Sequence, residues 1–471
     1  MCTACLALAL LLLCAANTAA EPPQPTVEAE EEVYTYTPAD NGADPMWCWG
    51  CTCLARAGDR LFASGLETLP NARPLNNVRW LLFGREATGG WKLLQTDPKD
   101  RTREPCPLAG FPDGRLLMSV NPTLVTDPQH EGGGPARPEI LQFAAASPLA
   151  PPRTILPTWE GQPAFSEHSY RTFSADGTTG EAILLQNVGY DGSAWTLLDP
   201  AGSTIKSGYL QWPELRAGDI EPYGATRCRV NYPDVFLRNR AVYVCGAAAF
   251  DNWDRVTNPA TQKHLMGRQW GNRWRRLFYT WTPDATAQPF HNWIEISNTM
   301  ATGGWLFPGD LWVDDTGLVH LLWFEGPIDL RLRNAHFLDL THRPNSIMYA
   351  QVRDGRIMHK TALLQGGEGS GMLVPESKPR FHVAPGGRLF VVYCAFDFVP
   401  PKQRTYTNWI QEIKPDGTTG EAVRLPLQHP LGGFFTVTPR GGGAPSEMLD
   451  LLGPRVGSQS TIHYARVRLG L

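Results

Sequence analysis

The sequence predicts an all-β fold, a seven-bladed β-propeller in one domain, and three observations carry that expectation. First, Asp176-Gly177-Thr178-Thr179-Gly180-Glu181-Ala182 recurs letter for letter at Asp416-Gly417-Thr418-Thr419-Gly420-Glu421-Ala422, each copy a turn leading into a short apolar run. Looser versions stand at Pro112-Asp113-Gly114-Arg115-Leu116-Leu117, Asp315-Thr316-Gly317-Leu318-Val319 and Pro385-Gly386-Gly387-Arg388-Leu389-Phe390. A turn-plus-strand unit reused this often is the signature of a toroid of small sheets. Second, 16 Trp, 46 Gly and 41 Pro in 471 residues mean many short strands and turns, and long helical periodicities are missing. Third, the length would suit two or three domains of about 150 residues, but the repetition divides it into a single ring.

Along the chain, residues 1–20 read as a signal peptide. Leu6 to Leu13 are uniformly apolar, too short to span a bilayer, and Thr18-Ala19-Ala20 suits a signal-peptidase cut. Residues 21–32 are acidic and Pro-containing with no apolar period, which predicts a disordered leader. Residues 33–471 then hold the propeller. Blade one is expected from about Trp47 to Gln95, blade two from Glu104 to Leu156, blade three from Glu167 to Leu210 and blade four from Arg227 to Ile296 with a long insertion. Blades five, six and seven follow at about Phe307 to Leu364, Lys378 to Leu425 and Gly433 to Leu469. Val33 to Thr37 is left to add a strand to the last blade and close the ring, which removes exposed sheet edges. In the turns, Asp113, Asp176 and Asp416 are expected to bond nearby backbone amides.

Net charge of −4 gives neither nucleic acid nor an anionic membrane surface a reason to bind, and no later segment reaches the ~20 apolar residues of a membrane span. Seven cysteines follow the leader: Cys48, Cys51, Cys53, Cys106, Cys228, Cys245 and Cys394. An odd number leaves at least one free thiol. Cys48, Cys51 and Cys53 read as buried small hydrophobes or one local disulfide, because no Cys/His pair follows at zinc-finger spacing, and Cys228 with Cys245 is a second possible pair. No metal, no cofactor and no phosphate-binding loop is expected.

Gly309 to Trp323, followed by Ser346 to Gly355, gives an inner strand, an Asp-turn, an apolar strand and a returning strand. This pattern resembles the sialidase-like superfamily of propellers with bacterial neuraminidase repeats. Ser174-Ala175-Asp176-Gly177 has the opening Ser and Asp of their Asp box, with Thr178 at its Gly and Glu181 at its Trp. The chain equally resembles propeller polysaccharide lyases and rhamnosidases, which work with His, Tyr and Arg near the axis. The signal peptide implies an exported, secreted or periplasmic protein, and these resemblances imply that its partner is a polysaccharide or glycoconjugate. The expected activity is that of a glycoside hydrolase or polysaccharide lyase on an acidic or deoxy-sugar glycan. The alternative is a non-catalytic glycan-binding or cell-surface scaffold.

Ligand sites in such toroids occupy the mouth of the central channel, at the starts of the inner strands. Aligning the blades on Gly114, Gly177, Gly317 and Gly387 brings Arg103 and Glu104, Glu167 and His168, Asp310, Lys378 and Arg380 to equivalent starts, and Arg227 and Arg229 open blade four. The densest cluster is Glu167-His168-Ser169-Tyr170-Arg171. On a strand, His168 and Tyr170 share a face, where an imidazole can take a proton and a phenol can give one while Arg171 neutralises a carboxylate. Glu104, Glu167, Asp234 and Asp310 are the candidate carboxyls for hydrolysis. In the blade-four insertion, Arg268, Trp270, Arg273 and Trp274 interleave cations with flat rings, a pattern suited to binding anionic sugars.

Overall fold

A computed structural model of the chain describes residues 21–98, 101–214, 227–249, 274–328, 333–334, 338–339, 343–367, 373–376, 378–399, 403–458 and 460–471. The expected signal peptide and most of the blade-four insertion, with Arg268, Trp270 and Arg273, lie outside these residues.

Seven antiparallel sheets follow one another around the ring, so the chain is a seven-bladed β-propeller. From the axis outward, blade one is Leu54–Ala57, Arg60–Thr68, Val78–Arg85 and Trp91–Thr96. Blade two is Leu108–Gly110, Arg115–Val120, Glu139–Ala144 and Arg153–Ile155, and blade three is Arg171–Ala175, Ala182–Val188, Gly192–Leu198 and Thr204–Gln211. Blade four is Val230–Arg238, Ala241–Ala249, Trp274–Thr282 and Ile294–Asn298; blade five is Trp305–Val313, Val319–Gly326, Asn345–Arg353 and Arg356–Gly366. Blade six is Arg380–Val383, Leu389–Val399, Gln403–Ile413 and Thr419–Leu425, with Val374–Pro375 also pairing Leu389–Val399. Blade seven, Phe435–Thr436, Met448–Gly453 and Thr461–Arg468, receives its outermost strand from the other end of the chain, Thr26–Thr35. The ring thus closes as expected but with a longer strand, and most of the segment expected to be disordered is ordered.

Packing explains that correction. An outer strand needs only one half-buried face, so polar residues suffice if they find partners. Glu31 forms a bidentate pair with Arg85 at 2.7 and 2.9 Å, and Glu28 meets Arg468 at 2.7 Å. Glu30 accepts the backbone N–H groups of Gln428 and His429.

The turn carboxylates do the expected work at the face opposite the mouth. Asp176 Oδ1 accepts Thr178 N–H at 2.8 Å, and its Oδ2 accepts Asn239 N–H from blade four, so one carboxylate closes a turn and ties two blades. The identical heptads occupy different places: the first joins the two inner strands of blade three, and the second joins the two outer strands of blade six.

The seven described cysteines are buried free thiols. The possible pairing of Cys228 with Cys245 is absent: Cys245 sits opposite Asp234 in the blade-four ladder, and Cys228 Sγ lies 3.5 Å from the Glu214 carbonyl. Cys48 and Cys53 Sγ approach to 3.5 Å as thiols.

Two loops fill the axis. The Trp47–Cys53 segment enters from the mouth and lies so close to blade four that a Cβ on Gly50 would stand 2.1 Å from the Pro233 carbonyl oxygen, so that only glycine fits. From the other end, Gly441 O accepts Gly110 N–H and Arg440 O accepts Ala175 N–H, both at 2.8 Å. Between the loops, Arg440 pairs with Asp310 at 2.7 Å and donates to Gly50 O at 2.6 Å, while Arg380 donates to Trp49 O at 2.9 Å and Gly309 O at 2.7 Å. Asp310 also accepts the backbone N–H groups of Leu311 and Phe381.

Asp234 is the odd member of this network. It is 1% exposed, stands 3.5 Å from Arg440 and has no hydrogen bond to either oxygen among the described residues. Burial pushes its carboxyl up to about 7 against the opposing pull of Arg440. The folded-state value lies above the ordinary one, so its stabilising contribution is complete below about pH 4 and lost as pH rises to about 7. Asp234→Asn is therefore expected to raise the melting temperature above pH 7, by at most about 4 kcal/mol of stability, and to change little at pH 4. Thermal denaturation of both proteins across that range checks this.

Candidate active site

The mouth face is built around an aromatic wall. Trp49, on the axial loop, contacts Phe307 with ring centroids 4.2 Å apart, Trp274 at 5.6 Å and Tyr232 at 5.5 Å, all edge to face. Trp47 lies 4.7 Å from Trp49, and its indole N–H donates to the Tyr232 hydroxyl. Tyr170 stacks on Tyr232 at 4.6 Å. Rings in such offset and edge contacts hold one another rigidly, worth about 0.5–1.5 kcal/mol per pair beyond the area buried.

Tyr232 owes its place to a break in local rules. Val230–Arg238 carries a bulge between Asn231 and Asp234, and Tyr232 inside it has φ +46°, a left-handed conformation disfavoured for a bulky residue. Its hydroxyl donates to Glu104 Oε1 at 2.5 Å. Burial raises the Glu104 carboxyl above its ordinary value, opposed by Arg103 and Arg171. Lys378, with φ +72°, is a second left-handed residue at the mouth, and its ammonium stands 5.0 Å from the Trp49 ring centroid. Strained backbone of this kind survives where surrounding contacts over-determine it, and it concentrates at ligand sites.

Cations frame the outer ring of the wall. Arg103 lies 5.8 Å and Arg229 5.2 Å from the centroid of Tyr170, and Arg229 also stands 4.5 Å from that of Tyr190. Arg103 is anchored through Nε to the Asn41 carbonyl at 3.0 Å, yet among the described residues its buried Nη1 has no acceptor, and neither has Trp49 Nε1. Buried donors left without partners call for a bound polar group.

His168 stands at the rim, its side chain 41% exposed and its ring 6.1 Å from that of Tyr170. The two converge through a turn at Ser166–Ser169 that precedes the strand, not through the strand alternation expected from their spacing. His168 Nδ1 meets Glu167 Oε1 at 2.6 Å, and Glu167 Oε2 accepts Gly134 N–H at 2.7 Å. Burial alone would raise the Glu167 carboxyl, but these hydrogen bonds outweigh it and hold the group below its ordinary value. An ionised Glu167 assigns the Nδ1 proton to that bond and leaves Nε2 outward as a proton acceptor.

The structure thus gathers Arg103, Glu104, Glu167, His168, Tyr170, Arg229, Trp274 and Lys378 around one mouth. Of the other expected residues that are described, four lie elsewhere. Asp310 and Arg380 are sealed in the axial network. Arg171, 2% exposed, spends Nη2 on the Pro105 carbonyl at 2.6 Å. Arg227 bonds the Trp212 carbonyl at 3.0 Å and lines a separate outer groove. Sequence reading missed Trp47, Trp49, Tyr190 and Tyr232. For the two tryptophans a signal was present, since Trp47-Cys48-Trp49-Gly50 sits just before the first inner strand, whereas the bulge that presents Tyr232 leaves no local mark beyond Pro233.

Among the described residues no group of three or more His, Cys, Asp or Glu side chains is arranged to hold a metal ion, and no helix is long and apolar enough to cross a membrane.

No protein-family model and no curated protein matches the sequence. Among solved structures the chain is similar to a polysaccharide lyase of the new family PL25, an ulvan lyase bound to a GlcA(1-4)Rha3S unit, with 9% identity, 93% of this chain and 95% of that chain covered, and a TM-score of 0.53. It is similar to the polysaccharide lyase Uly1 with 11% identity, 94% of each chain covered and a TM-score of 0.53. At such identities the likeness concerns the fold: this chain is an all-β propeller with the architecture of those two enzymes.

Proposed function

We propose that the protein is an exported carbohydrate-active enzyme that cleaves an acidic or deoxy-sugar glycan at the channel mouth, and that its reaction is β-elimination at a uronate. The observation that carries this reading is Tyr170, framed by Arg103 and Arg229 at 5.8 and 5.2 Å with His168 beside it. In elimination, His168 Nε2 takes the C5 proton of the uronate, and the electrons of that C–H bond form the C4–C5 double bond. The C4–O bond then breaks, and the Tyr170 hydroxyl gives its proton to the departing oxygen. Arg103 and Arg229 neutralise the carboxylate, which makes the C5 proton more acidic.

Hydrolysis is the less favoured route. It needs two available carboxyls, ~5 Å apart for retention or ~6.5–9.5 Å for inversion. Glu104, Asp234 and Asp310 are each at most 2% exposed, and Glu167 is committed to His168 and Gly134. The activity of the two similar structures, both polysaccharide lyases, points the same way. A secreted or periplasmic location rests on the apolar run Leu6 to Leu13, and kinship with sialidase-like propellers rests on the repeated turn-plus-strand units.

Incubating the mature chain with anionic and neutral polysaccharides tests the reading. Ultraviolet absorbance from a conjugated unsaturated uronate is expected with a uronate polymer. New reducing ends without that absorbance would replace elimination by hydrolysis, and binding without either would make the protein a glycan-binding scaffold.

A further inference from the structure

Between blades six and seven, lined by Lys378, lies a cavity on the mouth face, of about 290 Å³. Lys378 and Arg455 supply its charge, Tyr406 contributes a ring, and Gly432, Gly433 and Gly457 keep its walls low. Among the described residues neither cation is in an ion pair, and both side chains are half-buried. Glu376, the one acid on the wall, is not a free carboxylate.

The scaffold holding these cations is fixed. Val456 N–H bonds the Pro430 carbonyl at 2.8 Å, Ser458 N–H bonds the Arg455 carbonyl at 2.9 Å, and Leu431 bridges Arg455, so the arginine stands on a pinned loop. Lys378 is aimed by its left-handed backbone, and its stem passes over Gly433, where an added Cβ would lie 3.4 Å from Lys378 Cδ. Two preset cations that form no ion pair among the described residues, beside an aromatic ring and glycine backbone, make a receptor for an oxyanion carried on a sugar.

We propose that Lys378 and Arg455 form an anion subsite that receives a sulfate ester or carboxylate of the glycan lying across the mouth. This deepens the lyase reading and rests on it only for the identity of the polymer. The subsite places one anionic substituent beyond the sugar bound at Tyr170, so a polymer charged on neighbouring residues is preferred over one charged at the cleaved residue alone.

The test measures thermal stabilisation by low-millimolar inorganic sulfate or free glucuronate against chloride at matched ionic strength, in wild type, Lys378→Gln and Arg455→Gln. Loss of either charge is expected to weaken the apparent affinity for at least one of the two anions by about tenfold or more. The preferred anion tells a sulfate ester from a carboxylate. Saturable stabilisation absent from wild type, or undiminished in both variants, overturns the subsite. A sulfated uronate oligosaccharide and its desulfated counterpart then separate the two proposals: anion binding without cleavage of any uronate polymer would sink the lyase reading and leave the subsite in place.

Discussion

Tyr170→Phe is expected to slow glycan cleavage by about 10²- to 10⁴-fold, the usual worth of a positioned acid or base, with little change in KM. The substitution isolates the hydroxyl. Phenylalanine keeps the ring stacked on Tyr232 at 4.6 Å and keeps its face toward Arg103 and Arg229, and gives up with the hydroxyl its hydrogen bond with Arg103. A fall in kcat at constant KM means that the lost interaction belongs to the transition state. His168→Gln should give a comparable loss, because glutamine can still meet Glu167 but presents no basic nitrogen outward. Initial rates by ultraviolet absorbance decide the matter. An unchanged kcat in Tyr170→Phe would reduce Tyr170 to a packing residue and remove the acid from the mechanism.

What the sequence disclosed and what it hid follow from the range of the interactions involved. The turns were legible because their chemistry is local: Asp416 bonds Thr418 two residues on, and Asp314 bonds Thr316 and Leu318. Five such units, spread over four blades, pointed to the ring and to several of its boundaries. The closing strand was misread at its start because Glu28, Glu30, Glu31 and Glu32 have no apolar alternation, and their partners come from blade one and from the far end of the chain. At the mouth, the local cluster around His168 was legible, whereas the wall beneath it was not. Trp47 meets Tyr232 across 185 residues, and Tyr232 meets Glu104 across 128. A bulge turns Tyr232 to this position, and bulges shift the face of every residue counted by simple alternation. The same range limit misplaced Asp310, Arg380 and Arg171. Arg171 and Arg380 start inner strands, as the blade alignment required, while Asp310 lies well inside Trp305–Val313, and nothing near the three in sequence records that the axial loops cover them.

Arg440→Met is expected to cost about 3–5 kcal/mol of stability, the typical result of removing one partner from a buried ion pair. Arg440 and Asp310 are 2% and 1% exposed, so the abandoned carboxylate has no water to turn to, and the Gly50 carbonyl loses its 2.6 Å donor as well. An arginine suits this position because its fork of N–H groups serves a carboxylate on one side and a carbonyl on the other, which a single ammonium cannot do at fixed geometry. Asp310→Asn combined with Arg440→Met should lose less than Arg440→Met alone, because the Asp310 carboxylate that Arg440 abandons is itself removed. Thermal denaturation of the three variants measures the difference. The consequence reaches the mouth, since Gly50 adjoins Trp49, and Arg380 holds the Trp49 carbonyl within the same network. Arg440→Met should therefore also diminish the near-ultraviolet circular dichroism of the tryptophan cluster below its melting temperature. If stability falls while that signal is retained, the aromatic wall is held by its own ring contacts, and the axial arginines serve the fold alone.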